Sequence, residues 1–355
     1  MTEPEGITFP ELRLAARNHA MPQEALRWPI TPIGLHYVLV HYDIPAVDEF
    51  TWRLTVDGLV SAPLSLSLEE LRARPAVTQA VTIECAGNGR ALTTPRAISQ
   101  PWLTEAVGTA EWTGTPLSPL LDEAGLDQDT TELVFTGLDR GIEGGLPQEY
   151  QRALLLEEAR RPEVILAYEM NGLPLPPQHG FPVRLVVPGW YGMAHVKWLR
   201  AIIATRGPFD GYQNVRAYRY RSVEDEPGTP VTRMAPRSLI QPPGIPEFSS
   251  RDRHARPGRH VLEGRAWSGR GRVVRVEVST DGGRSWSDAK LGQPPSPFAW
   301  APWSFEWYAE PGEHDLCSRA TDETGETQPL EQAWNLGGYA NNEVQRVRVV
   351  VESEP

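Results

Sequence analysis

The sequence predicts an α+β protein, in which a mixed α/β domain precedes a β-sandwich. Up to about residue 220, short strand-like runs alternate with short helical stretches, without the strand–helix–strand period of a parallel sheet. Residues 224–257 are rich in proline, glycine and charge, as in a linker or an irregular crossover. After them come short strands with turn signals and no helix pattern. At 355 residues the chain has room for about two domains, which we place at 1–230 and 231–355.

The first region contains runs that predict strands and stretches that predict helices. The predicted strands are Tyr37–Val40, Trp52–Val56, Glu132–Thr136 and Val183–Pro188. The predicted helices are Ser67–Leu71, Leu117–Ala124 and Gln148–Ala153. The first of these helices has an acidic first turn, and Gly125 is placed to end the second.

The second region shows the two-residue alternation of a half-buried sheet. Arg272–Ser279 alternates throughout, and Asp281-Gly282-Gly283 supplies a turn before a return strand that begins at Ser285-Trp286. Further strands are predicted at Trp300–Trp307, Glu313–Thr321 and Val344–Val351. Several short strands without helices favour a β-sandwich.

Composition excludes several classes of function. The net charge of −12 disfavours nucleic acid and anionic membrane as partners, since both require a basic face. No run of about 18 apolar residues is present to span a membrane. Residues 1–10 lack the basic start and apolar stretch of a secretory signal, which favours the cytoplasm, or the periplasm if a leader has been removed.

The two cysteines argue against most cysteine-based cofactors. Cys85 and Cys317 lie far apart, and neither belongs to a CxxC or CxxCH pattern. That argues against a cysteine-based zinc site, an iron–sulfur cluster and c-type haem, and we expect no b5-haem or flavin domain. Cys85 itself ends a strand-like stretch and opens the loop Glu84-Cys85-Ala86-Gly87-Asn88-Gly89-Arg90. Such a loop can hold a reactive or metal-ligating thiolate near a fixed positive charge, although a lone cysteine is more often a small buried hydrophobe.

Four separated segments are dense in groups that bind anions or metals. They are Arg17-Asn18-His19, Cys85–Arg90, Gln178–Arg184 and Gly189–Leu199. Each has an ordinary structural explanation by itself, such as a turn cap, a solvated strand residue or a lysine stem lying over an aromatic ring. Together they combine one soft thiolate with several cations, which fits a large phosphorylated cofactor whose metal takes a sulfur ligand.

These segments also carry a family resemblance. The order RNH, ECAGN-x-R and NG-x-PLP-x-x-HGFPVR-x-VVPGWYGM-x-HVKWL closely resembles the sulfite oxidase family of molybdenum enzymes. The later segments SGRGRVVRVEVSTDGGRSW and WNLGGY resemble the immunoglobulin-like dimerisation domain of that family. The resemblance spans nearly the whole chain, with its motifs in the family's order. It implies a molybdopterin-binding catalytic domain, a β-sandwich dimerisation domain and a homodimer.

The resemblance assigns roles residue by residue. It implies that Cys85 is the protein ligand of molybdenum beside a single molybdopterin, and that the substrate pocket contains Arg17, Arg90, Trp102 and Tyr218, with Tyr220 an alternative to Tyr218. The residues implied to hold the cofactor are Ala15, Ala16, Arg17, Asn18, His19, Asp139, His179, Arg184, His195, Val196 and Lys197.

The implied activity is oxidation of sulfite to sulfate by oxygen-atom transfer, with electrons passed to an external acceptor such as a c-type cytochrome. Two departures bear on the substrate. Gly337 stands where the family's sulfite oxidisers carry an arginine, and Gly89 replaces a basic residue before Arg90. Two alternatives stay open: a molybdenum-dependent reductase of a sulfoxide, N-oxide or oxyanion, and a non-enzymatic β-sandwich protein for adhesion or carbohydrate binding.

Overall fold

The structure is a computed structural model that describes residues 6–352 of the chain. Five short α-helices lie in the first part of the chain, at α1 (Phe9–Ala15), α2 (Leu68–Arg72), α3 (Leu117–Ala124), α4 (Leu156–Ala159) and α5 (Tyr212–Val215). Short 3₁₀ turns lie at Gln23–Arg27, Ile33–Leu35, Arg90–Leu92, Pro177–His179 and Gly192–Ala194. No helix among residues 6–352 is long and apolar enough to cross a membrane.

Twelve strands precede residue 231. They are β1 (Leu54–Gly58), β2 (Leu64–Leu66), β3 (Val77–Glu84), β4 (Val107–Pro116), β5 (Glu132–Glu143), β6 (Leu146–Leu155), β7 (Ile165–Met170), β8 (Leu173–Pro174), β9 (Arg184–Val186), β10 (Leu199–Thr205), β11 (Arg219–Tyr220) and β12 (Thr229–Pro230). One sheet has the order β2-β1-β10-β5-β6, and a second has the order β3-β4-β7-β8 with β9 also paired to β7. Only β1 and β10 pair in parallel here; the other strand pairs described in these two sheets are antiparallel.

The remaining strands form two facing sheets. They are β13 (Arg237–Ile240), β14 (Ile245–Pro246), β15 (Arg253–Ala255), β16 (Gly258–Trp267), β17 (Val273–Ser279), β18 (Ser287–Asp288), β19 (Lys290–Leu291), β20 (Ala301–Ala309), β21 (Gly312–Asp322) and β22 (Arg346–Val351). The sheet orders are β13-β16-β20-β19 and β14-β15-β22-β21-β17-β18. A separate apolar core that includes Leu262, Trp307, Leu316 and Val349 lies between them. The α+β class with a C-terminal β-sandwich is therefore confirmed.

Two predicted elements were wrong. Gln148–Ala153 is not a helix but the middle of β6, which pairs antiparallel with β5 from Gly141 to Val134. Pairing with a long neighbouring strand outweighs the weak helix preference of this stretch. Tyr37–Val40 forms no strand and makes only an isolated antiparallel bridge, between Val38 and His19.

Other predicted elements agree with the structure. The helix Leu117–Ala124 has the predicted bounds and ends at Gly125, whose φ is +65°. Ser67 caps α2 by accepting a hydrogen bond from the Glu70 N–H, and the Glu70 carboxylate accepts from the Ser67 N–H in return. The capping box and the helix-ending glycine are local signals, so they could be recognised without tertiary information.

Candidate active site

Cys85 lies at the end of β3, where the chain leaves the sheet and turns around an arginine. Its N–H donates to the Ala106 carbonyl at 2.9 Å, and its carbonyl accepts from the Asn88 N–H at 2.9 Å. A Cβ on Gly87 would lie 2.5 Å from Arg90 Nη1, so glycine allows the loop to close tightly on the guanidinium. The thiol side chain is buried, with 7% of the residue exposed.

The setting of Cys85 disfavours a free reactive thiolate. Burial raises the pKa of the thiol, and the Arg90 charge and the Gly87 N–H offset this only in part. The Trp102 indole Nε1 is buried and makes no hydrogen bond to any group in residues 6–352. A metal ion would favour the deprotonated form of this thiol, because a coordinating thiol gives up its proton.

Two cavities meet at Cys85. The first cavity has a volume of about 700 Å³ and the second about 870 Å³, each including its opening to solvent. Four residues line both of them: Leu39, His41, Cys85 and Tyr218. Cys85 can therefore present its sulfur to a group in the first cavity while the second cavity admits another molecule.

Two cationic side chains, Arg184 and Lys197, line the first cavity together with one acidic side chain, Asp139. Arg184 Nη1 and Nη2 donate to the main-chain carbonyls of His179 and His195 at 3.1 and 3.3 Å. Lys197 Nζ donates to the carbonyls of Leu39 and Gln178 at 2.7 and 3.0 Å. Burial lowers the pKa of Arg184 to about 10, and burial with the nearby Arg184 charge lowers that of Lys197 to about 7.

Several polar atoms of the first cavity are buried without a partner. Within residues 6–352, His36 Nε2, His179 Nε2 and Arg184 Nε make no hydrogen bond. The two imidazole rings meet edge to face with centroids 5.4 Å apart, and burial lowers the pKa of His36 to about 4 and that of His179 to about 2. Buried donors of this kind normally have partners, so a polar occupant is expected.

Asp139 is the acidic side chain of this cavity. It is buried, and burial raises the pKa of its carboxyl to about 6 although the Lys197 charge opposes the shift. The carboxylate therefore compensates only weakly for Lys197 and Arg184. An anionic occupant would remove the electrostatic cost that depresses the pKa of both cations.

The chemistry of the first cavity fits a phosphorylated pterin that carries a metal. Its cations and orphaned donors suit a phosphate and a heterocycle rich in hydrogen-bonding atoms. Among residues 6–352 no three His, Cys, Asp or Glu side chains are arranged to hold a metal ion. A metal at Cys85 would therefore take its other ligands from a cofactor, as the two sulfurs of a dithiolene allow.

His195 lines the first cavity, whereas Val196 lies behind the lining of both cavities. His195 Nδ1 accepts from the Val187 N–H at 3.2 Å, and its Nε2 lies 3.1 Å from the Trp190 carbonyl. Both ring nitrogens are thus engaged, and the ring supports the wall. Val196 is fully buried, and its carbonyl accepts from the Leu185 N–H at 2.8 Å.

The second cavity brings together Arg90, Trp102 and Tyr218 beside Cys85. Arg90 is 6% exposed and its guanidinium lies 5.2 Å from the ring centre of Tyr339. Tyr218 has a φ of +52°, and its ring lies 5.3 Å from that of Tyr339. Burial raises the pKa of Tyr218 well above its ordinary value, so the hydroxyl stays protonated. Tyr220 lies on β11, paired with Thr229, and lines neither cavity.

The structure distributes the predicted segment 15–19 unevenly. Asn18 lines the second cavity, and its Oδ1 accepts from the Val40 N–H at 2.7 Å. Arg17 is exposed and donates to the Tyr42 carbonyl at 2.6 Å, and His19 is exposed and pairs with Val38 through the main chain. The residues of this segment that line neither cavity are Ala15, Ala16, Arg17 and His19.

The site contains residues that the sequence did not single out as site residues. His36, Tyr37, Leu39, His41 and Tyr150 line the first cavity, and Tyr42, Glu143 and Tyr339 line the second. One signal that could have identified some of them is the run His36–Tyr42, which carries two histidines and two tyrosines and contains the predicted strand Tyr37–Val40.

The C-terminal domain holds the Cys85 loop in place. The Arg90 Nε donates to the Gly337 carbonyl at 2.9 Å, and the Asn341 side chain donates to the Gly89 carbonyl at 3.0 Å. The Ala340 N–H donates to the Ala86 carbonyl at 2.7 Å.

One residue earlier, Glu84 accepts hydrogen bonds from two side chains of the sandwich. Arg237 Nη1 donates to its Oε1 and Trp267 Nε1 to its Oε2, each at 2.9 Å. Both domains therefore build the site around Cys85.

Comparison with known proteins agrees with this architecture. Residues 41–213 match the family described as "Oxidoreductase molybdopterin binding domain", and residues 232–352 match "Mo-co oxidoreductase dimerisation domain". The chain is 36% identical to mitochondrial sulfite oxidase of Rattus norvegicus, over 98% of this chain and 67% of that protein. It is 38% identical to sulfite oxidase of Gallus gallus, over 87% of this chain and 70% of that protein.

Some relatives are named for a different activity, and several are longer than this chain. Nitrate reductase [NADH] 1 of Arabidopsis thaliana is 34% identical over 91% of this chain but only 38% of its own length. The chain spans 62% of the human mitochondrial sulfite oxidase. The crystal structure of the sulfane dehydrogenase SoxCD from Paracoccus pantotrophus superposes with a TM-score of 0.81 and 28% identity, covering 99% of this chain and 94% of that one. The chain therefore belongs to the sulfite oxidase family of molybdopterin oxidoreductases.

Proposed function

We propose that this oxidoreductase oxidises a small sulfur oxyanion such as sulfite, adding one oxygen atom from water and passing two electrons to an external acceptor. The observation that carries the proposal is the position of Cys85, buried between a cation-lined cavity and a cavity that contains Arg90. Such a position lets one thiolate hold a metal at the boundary between cofactor and substrate.

The first cavity is the place for molybdopterin. When bound, this cofactor supplies two-electron redox chemistry and oxygen-atom transfer at molybdenum. Cys85 would be its protein ligand, Arg184 and Lys197 would neutralise its phosphate, and His36 and His179 would hydrogen-bond its ring system.

Arg90 would bind the oxyanion in the second cavity. Its Nε and Nη1 are held by the Gly337 carbonyl, the Ser99 hydroxyl and the Gln100 carbonyl, at 2.9–3.3 Å. Nη2 makes no hydrogen bond to any group in residues 6–352 and is left for the substrate. Three hydrogen bonds fix the plane of the guanidinium, so little conformational entropy is lost when an anion binds.

Tyr218 would donate a hydrogen bond to the substrate without adding charge. Its pKa lies well above the ordinary value because of burial, so the hydroxyl is a neutral donor at physiological pH. Its ring is held between Tyr339 and the Arg152 guanidinium, which lies 5.5 Å from the ring centre. Trp102 lines the same cavity next to Cys85.

The cysteine assignment is tested by a matched pair of variants. Cys85→Ala should abolish both molybdenum retention and sulfite-dependent reduction of ferricyanide. Cys317→Ala should retain both, because Cys317 is buried in β21 of the sandwich. Molybdenum content is measured on the purified proteins by elemental analysis. Full sulfite oxidation by the Cys85 variant would refute the assignment.

The electron acceptor is proposed from the charge of the chain. A net charge of −12 favours docking of a basic one-electron carrier such as a c-type cytochrome, and the dimerisation domain supports a homodimer as the working unit. The rate of cytochrome reduction should fall steeply as ionic strength rises. A rate independent of salt would count against electrostatic docking.

A reductase is the second candidate. It is favoured by nitrate reductase relatives at 34% identity and by Gly337, which leaves the second cavity with a single buried arginine. Reduced viologen assays against nitrate, a sulfoxide and an N-oxide separate the two directions. Viologen oxidation by any of these substrates at a rate above that of sulfite oxidation would favour the reductase.

A further inference from the structure

The second cavity carries one available group of each sign. Arg90 offers its Nη2, as described. Glu143, at the end of β5, receives three hydrogen bonds on the same oxygen: Oε2 accepts from His41 at 3.0 Å, Tyr42 at 2.7 Å and Gln213 at 3.2 Å. Its other oxygen, Oε1, accepts none from any group in residues 6–352. The cavity thus presents a guanidinium N–H and a free carboxylate oxygen.

The Glu143 carboxylate is ionised at neutral pH. Burial alone would raise its pKa, but the hydrogen bonds from His41, Tyr42 and Gln213 reverse that effect and hold the pKa below its ordinary value. The same three donors fix the carboxylate in one orientation. The Glu143 side chain is 30% exposed, and a fixed carboxylate at the edge of a cavity is suited to an ammonium donor.

The lining of the second cavity also has an apolar part. Trp102, Tyr339 and Ile142 contribute to it, beside polar side chains such as Asn18 and Gln100, and the whole cavity encloses about 870 Å³ with its opening. Sulfite, with four heavy atoms and two negative charges, would contact neither the apolar wall nor Glu143 favourably. A carboxylate near a dianion is repulsive, and the apolar wall gains only from contact with hydrocarbon.

The number of cations also favours a singly charged sulfur group. Arg90 is the buried cation described for this cavity, and Gly337 supplies no second one. A dianion held by one guanidinium would keep an uncompensated charge in a site shielded from water, which costs free energy. A monoanion of the form R–SO₂⁻ is matched by one guanidinium.

We propose that the second cavity takes an aminoalkanesulfinate, with its sulfinate on Arg90, its short carbon chain along the aromatic wall and its ammonium on Glu143. The proposal rests on the proposed function and names the substrate class of the same site. Oxidation gives R–SO₂⁻ + H₂O → R–SO₃⁻ + 2 H⁺ + 2 e⁻. The sulfur lone pair forms one new S–O bond to the oxygen of water. Both O–H bonds of that water break and release two protons, and the two electrons reduce two equivalents of a one-electron acceptor.

The kinetic test uses the molybdenum-replete enzyme with ferricyanide as acceptor. The substrates are 2-aminoethanesulfinate, ethanesulfinate and sulfite, and the variants are Glu143→Gln and Glu306→Gln. Glu306 is the matched control, since it is 70% exposed on the sandwich and pairs with Arg259. We expect kcat/KM for 2-aminoethanesulfinate to exceed that for ethanesulfinate by about tenfold or more. Glu143→Gln should abolish this preference, and Glu306→Gln should leave it intact.

A binding test removes the dependence on turnover. Calorimetry measures the affinity of the oxidised enzyme for the two products, 2-aminoethanesulfonate and ethanesulfonate. We expect the aminosulfonate to bind about tenfold more tightly, and Glu143→Gln to equalise the two affinities. Equal affinities in the unmodified enzyme would overturn the proposal.

The outcomes separate this inference from the proposed function. Turnover of sulfite with a higher kcat/KM than either sulfinate would overturn the substrate class and leave sulfur oxyanion oxidation standing. Failure of all three substrates with a molybdenum-replete enzyme would overturn the proposed function. In that case the product affinities alone decide whether the cavity recognises a zwitterion, and equal affinities would overturn this inference too.

Discussion

The buried ion pair beneath the Cys85 loop should be among the most sensitive points of the molecule. Arg237 Nη1 lies 2.9 Å from Glu84 Oε1, and the two side chains are 0% and 2% exposed. In Arg237→Met the Glu84 carboxylate keeps the Asn88 and Trp267 donors but loses its one ion-pair partner among residues 6–352. Removal of one partner of a buried pair costs about 3–5 kcal/mol, because the remaining charge stays buried without compensation.

A surface pair supplies the control. Arg259 and Glu306 are each 70% exposed, so Arg259→Met should change the free energy of unfolding by less than about 1 kcal/mol. The double variant Glu84→Gln/Arg237→Met should recover much of the stability lost in Arg237→Met, because it leaves no buried charge. Arg237 Nε and Nη2 are themselves buried without partners among the described residues, which makes the original pair costly to keep.

The assay is equilibrium urea unfolding of each purified variant, with molybdenum content measured on the same samples. Arg237→Met should unfold at lower urea and retain less molybdenum, because Glu84 precedes Cys85 directly and the loop loses its support. A loss of stability equal to that of Arg259→Met would refute the reasoning. If the double variant is no more stable than Arg237→Met, the unpaired Glu84 charge is not the cause of the lost stability.

Three further predictions follow from single contacts. The Arg96 guanidinium lowers the pKa of the Glu11 carboxyl from its ordinary 4.5 to about 2. Their ion pair should therefore contribute its full stability above pH 4.5, and the free energy of unfolding should fall by about 1–2 kcal/mol as the pH drops toward 2. Glu11→Gln should remove this acid sensitivity in unfolding curves, and a persistent sensitivity would contradict it. Tyr218→Phe should lower kcat for sulfite about 10–100-fold with unchanged unfolding, because one neutral donor is lost, and an unchanged kcat would exclude that role. Gly337→Arg should lower KM for sulfite about tenfold by adding a second cation, and a raised KM would contradict this. The variant should also be somewhat less stable, because the new Cβ would lie 2.3 Å from the Tyr339 ring.

Local motifs account for the part of the site that was predictable from the sequence. His179, Arg184 and Lys197 belong to one nearly continuous stretch, and the fold brings them together around the first cavity. The Cys85 loop was visible as a glycine-rich turn after an alternating strand. The sandwich could be predicted because alternation of apolar and polar residues with a period of two indicates a strand with one buried face.

The rest depends on contacts between distant segments. His41 meets Glu143 across 102 positions of sequence, and Arg237 meets Glu84 across 153. Neither pair lies in a local pattern that would mark it. Gln148–Ala153 was mistaken for a helix because its composition is neutral and its strand partner, β5, decides its conformation. Such outcomes follow from tertiary pairing rather than from propensity.

The two domains contribute differently to the two cavities beside Cys85, and this has a consequence for how such enzymes diversify. The residues that line the first cavity all lie between positions 36 and 218 of the sequence. The lining of the second cavity also includes Tyr339 of the sandwich, which lies close to the contact between Gly337 and Arg90. Mutations near Tyr339 can therefore reshape what is oxidised while the lining of the first cavity stays unchanged. A lineage can explore new chemistry on one side of the sulfur as long as the contacts from Arg237 and Trp267 to Glu84, which support the Cys85 loop, are kept.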